Sequence, residues 1–129
     1  MLDHIGFAVA DLARSRKFYA KALAPLGYIP VMDLTAEQTG GYAGTGFGPQ
    51  GRPQFWIGNG AQPGSRVHIA FAASSRAEVD AFHAAALAAG GSDNGAPGLR
   101  PHYHENYYGA FVIDPDGHNV EAVCHTPGG

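Results

Sequence analysis

Two short segments of the chain alternate strictly between bulky apolar residues and small or polar ones. In 4–9, Ile5, Phe7 and Val9 alternate with His4, Gly6 and Ala8. In 67–72, Ile69 and Phe71 alternate with His68, Ala70 and Ala72. A period of two puts the two sets on opposite faces of a β-strand. The bulky set needs cover, which the following helix can supply. The other face carries a histidine and then only small residues, which leaves space above it. After each segment the period lengthens. Phe18, Ala22 and Leu26 predict a helix over about 13–25, stopped by Gly27. Val79, Phe82 and Ala86 predict a second over about 76–89, opened by the capping pair Ser75 and Glu78 and closed by Gly90 and Gly91.

Three shorter strands complete each pattern. In the first half they fall near 28–34, 40–47 and 53–58. In the second, 107–113 and 118–124 form a hairpin around Asp114-Pro115-Asp116-Gly117, with proline and glycine where a tight turn wants them. The remaining strand must lie within 92–101, where glycine and proline blur the alternation.

The two halves also match each other. With His4 laid on His68, His4-Ile5-Gly6-Phe7-Ala8 falls on His68-Ile69-Ala70-Phe71-Ala72, Phe18 on Phe82, Ala22-Leu23 on Ala86-Leu87 and Gly27 on Gly91. A gapless match of this kind predicts a duplicated unit. The expectation is an α+β fold, a single domain over 1–129 built from two β-α-β-β-β modules at 1–60 and 65–126.

Composition narrows the function classes. At 129 residues the chain suits one domain, and its 15% charged and 45% hydrophobic residues suit a folded globule. A net charge of −3 without a Lys/Arg run gives no footprint for nucleic acid. No apolar run approaches the roughly 20 residues that span a bilayer. The stretch from Met1 to His4 lacks the layout of a secretory signal, so a cytoplasmic protein is expected. Cys124 is the single cysteine, so no intrachain disulfide can form, which fits that compartment. Nineteen glycines and nine prolines gather at 39–53, 58–64 and 90–101 and read as turns and loops within the domain.

On this frame His4 and His68 occupy equivalent starts of equivalent strands. Glu121 sits on the final strand with Asn119 and Val123, opposite Val120, Ala122 and Cys124. A carboxylate amid apolar residues is costly unless paired or metal-bound. Two histidines and a carboxylate make a facial triad for one divalent metal ion, with Fe, Mn, Ni, Co or Zn suiting the donors better than Ca. The symmetry-related slot for a fourth ligand falls at Ile57 or, with a one-residue gap, at Trp56; Gln54 is the nearest polar neighbour.

The paired units, the opening His-Ile-x-Phe strand and the Asp-Pro-Asp-Gly-His-Asn-x-Glu ending (Asp114 to Glu121) resemble the vicinal oxygen chelate superfamily over nearly the whole chain. That superfamily includes glyoxalase I, extradiol dioxygenases, fosfomycin-resistance proteins, methylmalonyl-CoA epimerase and bleomycin-resistance proteins. The resemblance implies a half-open mixed β-barrel with helices outside, a metal held by His4, His68 and Glu121, and a small-molecule substrate with neighbouring oxygens. It also implies a homodimer. The expected chemistry is of lyase, isomerase or ring-opening dioxygenase type. The glyoxalase I carboxylate at the fourth position is replaced by the region of Trp56 and Gln54. The extradiol tyrosine position falls on Phe111, with His104 as the matching histidine. Bleomycin-resistance proteins use the fold as a metal-free binding cup, so a sequestering protein without turnover is the competing expectation. A dimerising structural domain is the third, and it predicts a filled cup.

Arg100-Pro101-His102-Tyr103-His104-Glu105-Asn106-Tyr107-Tyr108 is the segment richest in reactive groups. His102 or His104, with Tyr107 or Tyr108, is expected to contact a metal-bound substrate, since imidazole moves protons and phenol donates to an oxyanion. Trp56 and Tyr42 are each either a substrate-stacking residue or part of the core, and Arg100 either pairs with an anionic group of the substrate or is simply exposed. His83 reads as structural, and His118 and His125 as solvent-facing.

Overall fold

The structure is a computed structural model and describes residues 3–60 and 66–128. The expectations for Met1, Leu2 and the far part of the loop at 58–64 therefore lie outside the described residues.

The first module runs β1 (Ile5–Ala8), α1 (Leu12–Ala22), β2 (Ile29–Leu34), α2 (Ala36–Thr39), β3 (Gly44–Gly48) and β4 (Phe55–Gly58). The second runs β5 (His68–Ala72), α3 (Arg76–Ala88), β6 (Ser92–Leu99), β7 (Tyr108–Ile113) and β8 (Asn119–Cys124). Each module makes one four-stranded mixed sheet, in the order β1-β4-β3-β2 and β5-β8-β7-β6. The first strand of each pairs in parallel with the last, and the other neighbours are antiparallel. Neither sheet closes on itself, which matches the half-open arrangement expected.

Local chemistry explains the element ends. Asp11 caps α1 by accepting from the Arg14 amide, and Ser75 caps α3 by accepting from the Glu78 amide. The predicted single helix over 13–25 divides: α1 stops at Ala22 and a 3-10 turn, Ala24–Leu26, follows. Pro25 is the reason, because proline donates no backbone N–H and its ring crowds the preceding turn. Gly27 then ends this stretch at φ 81°. The strand expected at 40–47 starts only at Gly44, and α2 precedes it. Thr35 and Gln38 form a reciprocal capping box there. The undetermined strand in 92–101 is β6, kinked by register shifts at Asp93/Gly95 and Gly95/Gly98.

Both modules contribute to one apolar core. Phe18, Tyr19 and Ala22 of α1 and Val79, Phe82 and Ala86 of α3 are buried, together with Phe47, Phe55, Ile57, Ile69, Phe71, Val112 and Val120 from the strands. The helix-bearing sides of the two sheets thus share a core, with Phe55 edge-on to Phe71 at 5.1 Å and Tyr28 edge-on to Phe71 at 5.6 Å. Ile5 departs from its expected cover and is 42% exposed. No helix among the described residues is long and apolar enough to cross a membrane.

Candidate metal centre

The alternation along β5, β7 and β8 puts His68, Ala70 and Ala72, then Tyr107, Gly109 and Phe111, then Asn119, Glu121 and Val123 on the face turned away from α3. Glu121 is opposite Ala70 on one side and Phe111 on the other. Its side chain is buried, at 1% exposure. His68 Nε2 lies 2.9 Å from Glu121 Oε1, and the Tyr107 hydroxyl donates to Oε2. Gly109 makes room for this pair: a Cβ there would stand 3.1 Å from the Tyr107 ring and 3.3 Å from Glu121 Oε2. Partial burial first, and then the hydrogen bond to the carboxylate, pushes the Tyr107 phenol well above its ordinary value. It therefore stays a proton-bearing donor.

Imidazole nitrogen and carboxylate oxygen are a donor set for a first-row divalent ion. Two ligand atoms each about 2.1 Å from one ion, at right angles, stand about 3 Å apart. His68 and Glu121 already have that separation, so this pair fits. His4 does not join it. Its Nδ1 is 2.8 Å from Asp3 Oδ1, and its side chain is 62% exposed. Among the described residues, no three His, Cys, Asp or Glu side chains gather closely enough to hold one ion. β1 and β5 are edge strands of separate sheets, so no strand pairing fixes His4 beside His68. His4 and His68 do line one cleft of about 360 Å³ between the modules, along with Tyr28 and Gln54, whose side chains hydrogen-bond at 2.6 Å.

The register settles which residue takes the fourth slot. Trp56 is opposite Gly6 on β1 as Glu121 is opposite Ala70 on β5. The counterpart of the carboxylate is thus an indole.

The segment 100–108 separates into several roles. Tyr107 reaches Glu121. Tyr108 points to the helix side, where its hydroxyl bonds Asp80 at 2.6 Å and the Arg76 guanidinium stands over its ring. Arg100 lies over Phe111, with its guanidinium donating to the Gly98 and Ala96 carbonyls. His102 and His104 are exposed; His102 packs on Tyr103, and His104 Nδ1 accepts from the Asn106 amide. Exposed His125 contacts both Tyr107 and His104. Trp56 is in β4 on the face opposite Phe55 and Ile57, and Tyr42 precedes β3 with its ring beside Gly44 and Gly58.

The sequence reading missed the roles of three residues, Asp114, Asp116 and His118. Asp114 accepts from Tyr19 and from the amides of Asp116 and His118, while Asp116 accepts from the Ala10 amide and from Ser15. The turn between β7 and β8 therefore clamps the second module onto α1. His118 is buried at 1% exposure, not solvent-facing. Its Nδ1 accepts from the Val67 amide, its ring is 4.2 Å from that of Phe7, and the Asn119 amide donates to the Val67 carbonyl. These contacts anchor the residue before His68 to β8 and so set the His68–Glu121 register. The Asp-Pro-Asp-Gly-His run was the available signal, but it reads locally as a turn. His83 is structural as expected, bonded to Asp93 at 2.9 Å.

A glyoxalase/bleomycin resistance protein from Albidiferax ferrireducens T118 is 31% identical, with a TM-score of 0.78 over 96% of this chain and 98% of that one. A glyoxalase I mutant from Zea mays is 23% identical, with a TM-score of 0.69 over 95% of this chain and 45% of the maize chain. A mutant of the fosfomycin resistance protein FosX from Listeria monocytogenes, complexed with Mn(II) and 1S,2S-dihydroxypropylphosphonic acid, is 22% identical, with a TM-score of 0.67 over 98% and 93%. No curated protein matches the chain. The model of the Glyoxalase/Bleomycin resistance protein/Dioxygenase superfamily matches residues 1–122, and the chain, with its two matching modules, belongs to that superfamily.

Proposed function

We propose that the protein is a divalent-metal-dependent enzyme acting on a small molecule with adjacent oxygens, by lyase, isomerase or dioxygenase chemistry. The observation that carries this reading is the buried Glu121 carboxylate held between His68 and the Tyr107 hydroxyl. His68 and Glu121 would hold the ion, which as a Lewis acid would polarise a substrate oxygen. The third ligand is His4 from a second copy of the chain. Exposed, and in no three-residue metal cluster among the described residues of its own chain, it suits a twofold dimer in which each copy completes the other's site. Tyr107 holds the carboxylate oriented and keeps its proton as a donor.

Metal content tests this reading. Protein prepared without an affinity tag should carry a divalent ion, and His4→Ala, His68→Ala and Glu121→Gln should each remove it. Mixing His4→Ala with His68→Ala protein should restore part of it, because each mixed dimer keeps one whole site. No bound ion, and no thermal shift with Mn, Ni, Fe or Zn, would exclude the metalloenzyme. Trp56 in place of a fourth-slot carboxylate favours the second reading, a binding protein without turnover. That reading predicts tight binding with the ligand recovered unchanged.

A further inference from the structure

The chain holds two Asn-Gly pairs, Asn59-Gly60 and Asn94-Gly95. In such a pair the glycine nitrogen can attack the asparagine side-chain carbonyl, because no Cβ crowds the approach and both groups belong to one chain. The fold treats the two pairs differently. Asn59 is held at both ends of its amide: Oδ1 accepts from the Ala43 amide at 3.3 Å, and Nδ2 donates to the Gly41 carbonyl at 3.1 Å. Among the described residues, the Asn94 side chain has one bond, from Nδ2 to Asn119 Oδ1 at 3.2 Å, and its partner is another side chain. The backbone around Asn94 is also less fixed. Asp93 pairs with Val112 and Gly95 with Phe111, consecutive residues of β7, so Asn94 is the extra residue of a bulge. It is exposed, on the outer strand of its sheet. The Gly95 amide donates to Asp93 Oδ1 at 3.0 Å, and His83 Nε2 stands 2.9 Å from the same oxygen. A proton acceptor is thus already in contact with the proton that such an attack must lose.

We propose that Asn94-Gly95 is a self-modifying site, at which the folded chain loses the Asn94 amide as ammonia while Asn59-Gly60 is protected. The Gly95 nitrogen bonds to Asn94 Cγ as its proton leaves, and the Cγ–Nδ2 bond breaks with release of ammonia. Water then opens the cyclic imide at either carbonyl and leaves aspartate or isoaspartate. Water is the sole co-reactant, and nothing is oxidised or reduced. The product carries a carboxylate where an amide donated, so attraction to Asn119 Oδ1 becomes repulsion. Asn119 is the first residue of β8 and is paired with His68, so the change removes a tie between β6 and that end of the sheet. None of this needs a metal.

The test keeps the full chain at mildly alkaline pH, folded or in urea, and follows both Asn-Gly peptides by mass spectrometry after digestion. In the folded protein Asn94 should convert several-fold faster than Asn59. In urea the two rates should converge, because only the fold distinguishes the pairs. Asn119→Ala releases the Asn94 amide and should speed its conversion several-fold more, with Asn59 unchanged. Asn94→Gln should stop conversion at that position, since its longer side chain must close a less favourable ring. Asn59 converting as fast as Asn94 in the folded protein would overturn the proposal. So would the same ratio of rates folded and in urea, or an Asn94 rate unmoved by Asn119→Ala. If that variant does not fold, the comparison of folded and unfolded wild type decides alone.

Discussion

The hydroxyl of Tyr19 on the first helix donates a 2.6 Å hydrogen bond to Oδ2 of Asp114, 95 residues further along the chain. Both side chains are buried, and the other Asp114 oxygen is taken by two backbone amides. Burial, and then the negative charge of Asp114, raises the Tyr19 phenol well above its ordinary value of 10. A raised value in the folded state means the folded protein holds that proton more tightly than the unfolded chain. The stabilisation is therefore complete below pH 10 and falls away as pH rises beyond it. Tyr19→Phe should cost about 1–3 kcal/mol near neutrality, because a buried acceptor loses its donor. Denaturant melts at neutral and alkaline pH should show the wild type losing its advantage over the variant above pH 10.

Tyr107→Phe removes the donor that orients Glu121 without changing either proposed metal ligand. Metal affinity should fall by about 10–100-fold, the usual effect of losing a partner that orients a ligand. His68→Ala should abolish binding. Competition with a chelating dye would measure both, and equal affinity in Tyr107→Phe and wild type would show that the hydroxyl plays no part.

The glycines of β3 and β4 should differ in what they tolerate. A Cβ on Gly48 would collide with the backbone carbonyl of Arg52, which can move only with the turn that carries it. A Cβ on Gly58 would meet only the outer part of the Tyr42 ring, which can swing aside. Gly48→Ala should cost about 2–3 kcal/mol, at the upper end of what overpacking does, and Gly58→Ala less than about 1 kcal/mol. Thermal melts would rank them, and the reverse order would contradict this account.

Ser75→Ala should destabilise the protein by about 0.5–2 kcal/mol, by freeing the Glu78 amide at the start of α3. Urea denaturation should show the loss in the midpoint with an unchanged slope.

Local signals carried much of the architecture. Alternation at 4–9 and 67–72 located β1 and β5, because period two is a property of the strand alone. Ser75 and Glu78 located the start of α3 for the same reason, and Asp114-Pro115-Asp116-Gly117 located the turn before β8. The Thr35/Gln38 capping box was equally local and marks α2, which the glycine-rich surroundings masked. His118 shows the limit. A histidine after a turn is ordinarily wet, and only the packing of Phe7 and the Val67 amide from other elements makes it a core residue.

By itself the sequence determined the duplicated β-α-β-β-β units, their helix stripes and the pairing of Glu121 with the open face of its strand, since each follows from spacing within a few residues. The tertiary structure alone decided that His68 meets Glu121 while His4 turns to Asp3, that Trp56 stands where a fourth ligand would, and that Tyr107 rather than Tyr108 reaches the carboxylate. The reason is register. In each module the first and last strands pair in parallel across a long crossover, and contacts such as Tyr19–Asp114 and His118–Val67 lock that alignment from far along the chain. No short-range pattern encodes such an alignment, because the free energy that selects it comes from burying both modules together.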